Sequence, residues 1–264
     1  MNTFWVQIDL ELDGLSSRFY MNDCGGRDQV VTAVDQQGWR GYEPPLPTVL
    51  AKICKGWNPV FIDVGANTGY YSLLAASAGA SKVYAFEPVP SIFQIFTGNI
   101  AESALQHKIT TYDLGVGEAE GSFTLYLPLD GHGLIETSAS LNKDFRAQHS
   151  AQMEVGVTTL DAFGQQEAAA LAGQQLLMKI DVETLEPQVI KGGYQFIAQY
   201  RPVIAIEILP GSDVAFFEQF CAEQNYDHIW LRPDQPLEVS ANGIETSLHM
   251  RDHLLIPHEK AGAL

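Results

Sequence analysis

The sequence predicts an α/β fold built on a parallel β-sheet. From residue 59 onward, apolar strands alternate with helices, and successive strands are spaced about 25 residues apart. This repeat is typical of right-handed βαβ units, because two neighbouring parallel strands need a crossover connection between them. With 264 residues, 46% of them hydrophobic, the chain can also bury a continuous core.

The predicted elements follow one another along the chain. We expect strands over 60–62, 82–86, 109–114, 176–180 and 202–208, helices over 70–78, 91–101, 187–191 and 216–223, and further strands near Ile229 and Leu254. Ser91 is a suitable N-cap for its helix, and the tail after Pro257 is predicted to be loose. Alternation over 122–127 and 153–159 predicts antiparallel strands, and the polar segment 131–150 between them predicts a long functional loop.

The domain division is predicted to fall near residue 45. Residues 1–45 are interpreted as an N-terminal extension or small cap, with a strand or two beginning near Trp5 and a glycine-containing loop around Cys24. A helix over 46–54 then opens the main domain, 46–264. Aromatic residues before this domain belong either to the core or to an acceptor pocket: Tyr20, Trp39, Tyr42 and Trp57.

Composition excludes several classes of protein. Three widely spaced cysteines argue against a disulfide framework and against structural zinc. The net charge of −17 disfavours nucleic acid as a partner and favours a small-molecule acceptor. The chain has no apolar run long enough for a membrane span, and its first residues do not resemble a signal peptide. We therefore expect a cytoplasmic protein without a membrane partner; its oligomeric state is open, and a homodimer is one option.

The most informative local pattern is a glycine turn after the first strand of the repeat. The segment Val60-Phe61-Ile62-Asp63-Val64-Gly65-Ala66-Asn67-Thr68-Gly69 leads from an apolar strand directly into a helix. Gly65 permits a sharp turn and close approach of a ligand, and Gly69 permits close packing of the helix. In doubly wound sheets, cofactors bind in the crevice beyond the carboxyl ends of the strands.

The chemistry of this turn favours a cationic ligand. It lacks the paired glycines of the GxGxxG pattern that admits a pyrophosphate, and Asp63 immediately precedes it. A carboxylate there attracts the amino or sulfonium group of S-adenosylmethionine and repels a pyrophosphate. Glu87, which ends the second strand of the repeat, can accept two hydrogen bonds from ribose hydroxyls. Together these features predict an S-adenosylmethionine site.

At this point the sequence resembles the FkbM-type methyltransferase family. The resemblance is carried by residues 61–74, by Ala85-Phe86-Glu87-Pro88, by 157–161, most specifically by Met178-Lys179-Ile180-Asp181-Val182-Glu183, and then by Glu186, 189–192, Arg201-Pro202 and 206–208. It spans residues 42–210. Thr184 departs from the pattern, because the family usually has a glycine there, and this makes analogies about the substrate less safe.

The resemblance implies a class I methyltransferase fold: a Rossmann-like, seven-stranded, mostly parallel sheet with the last strand antiparallel and helices on both faces. It also implies S-adenosylmethionine as cofactor, S-adenosylhomocysteine as product, and O-methylation of a sugar or natural-product hydroxyl. Each binding role is carried onto this chain from the family. Asp63, Gly65, Ala66, Asn67 and Gly69 would cradle the methionine part, Glu87 and Pro88 would bind beside the ribose, Gly115 and Val116 would flank the adenine, and Glu43 would close over the cofactor.

Methyl transfer to a hydroxyl requires alignment of the acceptor and removal of its proton. Asp181 and Glu183 follow the fourth strand of the repeat, on the predicted acceptor rim, and Asp181 is also a candidate ligand of the cofactor amino group. His132, in the long loop, is a candidate base near neutral pH. We expect no metal, with a two-carboxylate Mg²⁺ site at Asp181 and Glu207 as the alternative.

Three alternatives to O-methylation are left open by the sequence. They are N-methylation of a small molecule, a nicotinamide-dependent oxidoreductase on a Rossmann sheet, and a binding module that has kept the cofactor site without catalysis. The absence of GxGxxG and the presence of Asp63 count against the oxidoreductase.

Overall fold

A seven-stranded sheet forms the centre of the protein in this computed structural model, which describes residues 4–128 and 149–263. The strands are β1 Trp5–Leu12, β2 Leu15–Asn22, β3 Val60–Val64, β4 Lys82–Phe86, β5 Ile109–Tyr112, β6 Gly115–Val116, β7 Gly121–Pro128, β8 His149–Thr158, β9 Leu176–Ile180, β10 Val203–Glu207, β11 Tyr226–Trp230 and β12 Asp252–Pro257. The helices are α1 Gln29–Gln37, α2 Leu46–Trp57, α3 Tyr70–Ala78, α4 Pro90–Glu102, α5 Leu160–Gln166, α6 Ala168–Leu171, α7 Glu186–Lys191, α8 Tyr194–Tyr200 and α9 Val214–Gln224.

The order of the strands across this sheet is β5-β4-β3-β9-β10-β12-β11. Neighbours from β5 to β10 are parallel, whereas β12 runs antiparallel to both β10 and β11. The chain moves outward from β3 in one direction to β4 and β5, and later in the other direction from β9 to β10. The carboxyl ends of β3 and β9 therefore border a topological switch point, where open α/β sheets bind their ligands. The predicted mostly parallel sheet is confirmed.

Helices cover both faces of the sheet because the side chains of each central strand alternate between them. All five residues of β3, β9 and β10 are buried. Phe61 packs into an apolar cluster with residues of α2 and α3, whereas its neighbour Ile62 packs into a second cluster with residues of α8 and α9. Near-continuous apolar runs are the expected sequence of strands that are buried on both sides.

The N-terminal hairpin β1–β2 packs on one of these apolar layers. Its turn is Asp13-Gly14, and both residues have positive φ, 46° and 83°, as a two-residue hairpin of this kind requires. Leu10 and Phe19 are fully buried in the same cluster as Phe61. Helix α1, which the sequence analysis did not predict, begins after Asp28, whose Oδ1 accepts the amide of Val31 at 3.1 Å.

Three local predictions are wrong. Ser91 is not an N-cap, because Pro90 already occupies the first turn of α4 and Val89 is its cap. The third strand ends at Tyr112 rather than at residue 114, since the chain then leaves the central sheet. The tail is not loose, because His258–Ala263 forms a 3₁₀ helix whose Glu259 pairs with Arg201 at 2.9 Å.

A smaller sheet of order β6-β8-β7 follows β5 along the chain. Strands β7 and β8 pair antiparallel, which confirms the pairing predicted from the alternation, and β6 pairs parallel with β8. In the part of the chain that the structure describes, no helix has the length and apolar composition needed to cross a membrane.

Candidate active site

The glycine turn after β3 is pressed against the neighbouring strand end. Gly65 has φ 82°, and a Cβ on it would lie 1.9 Å from the carbonyl oxygen of Asp181. Gly69 has φ 96°, and its Cβ would meet the ring of Phe96 in α4 at 2.0 Å. Both positions therefore disfavour any larger residue, and the turn follows the carboxyl end of β3, where the ligand crevice is expected.

Asp63 anchors this turn from below. Its side chain is 1% exposed, and its Oδ2 accepts the hydroxyl of Ser72 from α3 at 2.6 Å. Burial raises the pKa of Asp63, whereas Lys179 and the Ser72 hydrogen bond act in the opposite direction. Because the carboxylate is enclosed by protein, Asp63 supports the turn from within the fold and does not line the surface of the crevice.

Glu87 connects the end of β4 to the glycine turn. Its Oε2 accepts the amide of Asn67 at 3.0 Å, and its Oε1 accepts the amide of Val89 at 2.8 Å. Burial raises the pKa of Glu87 to about 7, although both amide hydrogen bonds lower it. Its two oxygens retain lone pairs for further donors, since each carboxylate oxygen can accept more than one hydrogen bond.

Pro88, Gly115 and Val116 lie together beyond Glu87. A Cβ on Gly115 would lie 3.8 Å from Cβ of Pro88, and Gly115 and Val116 form the short buried strand β6. The structure therefore brings together the residues that the resemblance assigns to the ribose and adenine side. Ala66, in the turn itself, is buried at 5% exposure.

An acidic rim surrounds the carboxyl ends of β9 and β10. Carboxylate oxygens of Asp181, Glu186 and Glu207 all lie within 4.8 Å of one another. Glu186 is almost fully buried, accepts the amide of Val182 at 3.0 Å, and burial raises its pKa to about 7. Oxygen donors at this spacing suit a hard divalent cation. Glu186 is therefore a third candidate ligand for the alternative Mg²⁺ site that the sequence analysis assigned to Asp181 and Glu207.

A buried lysine neutralises part of this charge. The Nζ of Lys179 lies 2.7 Å from Oδ2 of Asp181 and 4.7 Å from the ring centroid of Tyr71. Asp181, Asp63 and Glu43 all raise the pKa of Lys179, outweighing the burial that lowers it. The lysine therefore remains charged and hydrogen-bonds to the side chain of Asp181.

Glu43 reaches the same rim from the N-terminal segment. Its Oε2 accepts the hydroxyl of Tyr71 at 2.8 Å, and its Oε1 lies 3.2 Å from Nη2 of Arg251. Nη1 of the same arginine lies 2.9 Å from Oε1 of Glu207. One cation thus connects the segment before α2 with the end of β10.

The turn after β9 carries the departure from the family pattern. Glu183 and Thr184 have positive φ, 56° and 77°, in the region that favours glycine. Glu183 is half-buried, and its charge is close enough to Glu207 to raise the pKa of that carboxyl. Thr184 adopts the backbone of the glycine it replaces, at a cost in strain, because β-branched residues rarely occupy this region.

The remaining predicted residues are dispersed. Of the four aromatic residues before the main domain, Tyr42 lies at the site, with its ring centroid 6.4 Å from that of Tyr71. Trp39 is buried in the core at 4% exposure, and Tyr20 donates to Gln7 on the hairpin. His132 lies outside the described residues.

Sequence reasoning missed Lys179, Glu186 and Arg251 as members of the site. Lys179 had a signal, since it is a charged residue inside the apolar run Leu176-Leu177-Met178-Lys179-Ile180. Glu186 appeared only as part of the family pattern. Arg251 had no signal in the sequence, because its two partners lie far away along the chain.

The sheet order with an antiparallel strand between β10 and β11, the glycine turn after β3 and the glutamate ending β4 define a class I methyltransferase fold. The Methyltransferase FkbM domain matches residues 63–228, more than half of the chain. The protein therefore belongs to the FkbM methyltransferase family. No curated protein matches the chain.

Solved structures with a similar fold include a SAM-dependent methyltransferase from Agrobacterium tumefaciens, at 12% identity and a TM-score of 0.47, over 98% of this chain and 71% of that one. An O-methyltransferase from Bacillus cereus, in complex with SAH, matches at 12% identity and a TM-score of 0.46, over 85% of this chain and 86% of that one. A methyltransferase FkbM from Methylobacillus flagellatus matches at 16% identity and a TM-score of 0.45, over 75% of this chain. This chain spans 43% of the length of that last protein.

Proposed function

We propose that the protein transfers a methyl group from S-adenosylmethionine to a hydroxyl of a small-molecule acceptor, a sugar or a natural product. The observation that carries this proposal is the connection between Glu87 and the glycine turn. One carboxylate, anchored by the amides of Asn67 and Val89, borders the crevice at the switch point of the sheet. An anchored carboxylate with free lone pairs is a suitable acceptor for the two hydroxyls of a ribose.

The residues fit each part of this cofactor. The backbone from Gly65 to Gly69 would cradle the methionine part, and its shape depends on the two glycines, because a Cβ on either would collide with Asp181 or Phe96. Pro88, Gly115 and Val116 would flank the adenine and ribose, and Glu43 would close over the cofactor from the N-terminal segment. Asp63, Asp181 and Glu43 supply negative charge for a ligand that carries an ammonium and a sulfonium group.

The transfer itself is a displacement at the methyl carbon, in which the acceptor oxygen attacks and the sulfur leaves as a neutral thioether. Alignment of the acceptor with the methyl group supplies most of the rate. The hydroxyl proton would pass to a carboxylate of the rim. Asp181 is our first candidate, Glu183 our second, and His132, which lies outside the described residues, our third.

The acidic rim and the net charge of −17 also support a small-molecule acceptor rather than nucleic acid. We propose further that the reaction needs no metal and that the protein acts in the cytoplasm. If a metal did take part, the three rim carboxylates are the residues that would hold it. A test for a metal therefore belongs with the first experiments.

Isothermal titration with S-adenosylmethionine, S-adenosylhomocysteine and NADH tests the proposal. We expect saturable binding of both adenosyl ligands at a ratio of 1:1 and no binding of NADH. Binding of NADH alone would favour the oxidoreductase. Repeating the titrations with EDTA and then with Mg²⁺ tests the metal, since a requirement for Mg²⁺ would contradict a metal-free site.

A panel of small hydroxylated and amine acceptors, analysed by mass spectrometry for a gain of one methyl group, tests the chemistry. Methylated alcohols are the expected products. Methylated amines alone would favour N-methylation. Cofactor binding without any transfer, across a broad panel, would favour a non-catalytic module.

A further inference from the structure

Arg251 bridges two carboxylates that are distant in the sequence, those of Glu43 and Glu207. Its guanidinium lies 2.9 Å from Glu207 and 3.2 Å from Glu43. The arginine side chain is 37% exposed, whereas those of Glu207 and Glu43 are only 6% and 13% exposed. A cation at the mouth of the site therefore holds two carboxylates that are themselves largely removed from water.

Arg251 favours the ionised form of both carboxylates, although it does not by itself set their charge. Burial and the nearby Asp181 raise the pKa of Glu43 and of Glu207, and Arg251 lowers both. The planar guanidinium also fixes geometry, because its donors lie in a rigid fork. Loss of the arginine would leave two crowded carboxylates with a stronger tendency to bind protons and a weaker preference for one orientation.

Glu43 is held from its other side by the cofactor turn. Tyr71, which donates its hydroxyl to Glu43, lies in the first turn of α3, directly after Gly69. The ring of Tyr42 packs against that of Tyr71, and the amide of Leu46 donates to the carbonyl of Glu43 at 3.0 Å. The carboxylate of Glu43 is thus suspended between α3 and Arg251, beside the ends of β3 and β9.

We propose that Arg251 is a positioning residue for cofactor binding, which acts by holding Glu43 across the cofactor crevice. This inference rests on the proposed function, because it assumes that the crevice binds S-adenosylmethionine. Neither residue lies within the segment 63–228 that matches the family model; the sequence resemblance implies a role for Glu43 but none for Arg251. In this proposal the N-terminal segment forms one wall of the cofactor site. Arg251, which directly precedes β12, holds that wall in place.

A double-mutant cycle on S-adenosylmethionine affinity tests this coupling. The variants are Arg251→Met, which keeps the aliphatic stem, Glu43→Gln, which keeps the shape, and their combination. Arg232→Met is the matched control, since Arg232 lies over the ring of Trp230 at 5.2 Å, on the chain segment that leads to β12. Circular dichroism establishes that each variant is folded before titration.

We expect Arg251→Met and Glu43→Gln each to weaken binding roughly ten-fold, and the double variant to be little weaker than either single one. Arg251→Lys should recover part of the loss, because an ammonium can contact one carboxylate but cannot bridge both. If Arg251→Met is unfolded, the same cycle with Arg251→Lys replaces it. Arg232→Met should bind like the unaltered protein.

Unchanged affinity in a folded Arg251→Met variant would refute this inference alone, and so would losses that multiply in the double variant. Failure of the unaltered protein to bind S-adenosylmethionine would refute the proposed function and this inference with it. The two failures are therefore distinguishable in one set of titrations.

Discussion

Replacement of Glu87 by glutamine is the sharpest single test of the cofactor site. Both oxygens of Glu87 accept backbone amides, at 3.0 Å from Asn67 and 2.8 Å from Val89. The amide group of glutamine can accept at only one end, so one buried N–H loses its acceptor, at a cost of about 1–3 kcal/mol in unfolding free energy. Alanine would remove both acceptors, which makes glutamine the cleaner change. The ribose also loses a charged acceptor, and we expect the affinity for S-adenosylmethionine to fall roughly 10- to 100-fold.

The same carboxylate predicts a pH dependence. Burial raises the pKa of Glu87 from 4.5 to about 7. Because the folded value lies above the unfolded one, its contribution to stability is present below pH 4.5 and is lost as the pH rises through 7, a change of roughly 3 kcal/mol. The affinity for the cofactor should change with pH in the opposite direction, because the proposed hydrogen bonds from the ribose hydroxyls need the ionised form of Glu87. We therefore expect the affinity of the unaltered protein to decrease as the pH falls below 7.

Titration calorimetry between pH 5.5 and 8.5 and urea denaturation at the same pH values measure both effects. Glu154→Gln is the control, because Glu154 also accepts two hydrogen bonds, from Ser122 at 3.1 Å and Thr124 at 2.7 Å, but on the smaller sheet. The reasoning is refuted if folded Glu87→Gln binds S-adenosylmethionine as tightly as the unaltered protein, or if it keeps the same pH dependence of affinity.

Three further predictions concern the backbone and a buried histidine pair. Gly65→Ala should abolish cofactor binding and destabilise the fold by about 3 kcal/mol or more, since its Cβ would lie 1.9 Å from the carbonyl oxygen of Asp181; a thermal melt close to that of the unaltered protein would contradict this. Thr184→Gly should stabilise the protein by about 1 kcal/mol in urea denaturation, because φ is 77° there; a loss of stability would show that its side-chain contacts outweigh the strain. Burial lowers the pKa of His228 to about 4 and, together with His228, that of His253 to about 3, so the contribution of this pair to stability should fall as the pH decreases below 6.5; melting temperatures measured across this range should show a smaller loss on acidification for His228→Gln than for the unaltered protein.

The fold was largely predictable because its signals are local. Apolar runs such as Val60-Phe61-Ile62 have the composition of strands buried on both faces, and the glycine turn with Asp63 marks where the first strand ends. Glu87 was recognisable from its place after the second strand of the repeat. Its engagement with Asn67 was not, because that contact requires the loops after β3 and β4 to meet.

Errors in the element predictions also have local causes. Ser91 has the composition of an N-cap, yet Pro90 precedes it and already has the φ that the first helical position requires. The tail after Pro257 has little hydrophobic pattern, and long-range contacts hold it in place, among them the pairing of Glu259 with Arg201 and of His258 with Asp227. Such a contact has no signature in the sequence near residue 259.

The sequence by itself determined the alternation of the central strands with most of their crossover helices, the position of the glycine turn and the resemblance to the family, since apolar periodicity and short motifs act over a few residues along the chain. Tertiary structure alone decided how the charges of the site are compensated. Arg251 is placed between Glu43 and Glu207 by packing of segments up to 208 residues apart, whereas Lys179 and Asp181 are only two residues apart along the chain. The physical reason is that the charge state of a buried carboxylate depends on its neighbours in space, and those neighbours exist only once the sheet has assembled.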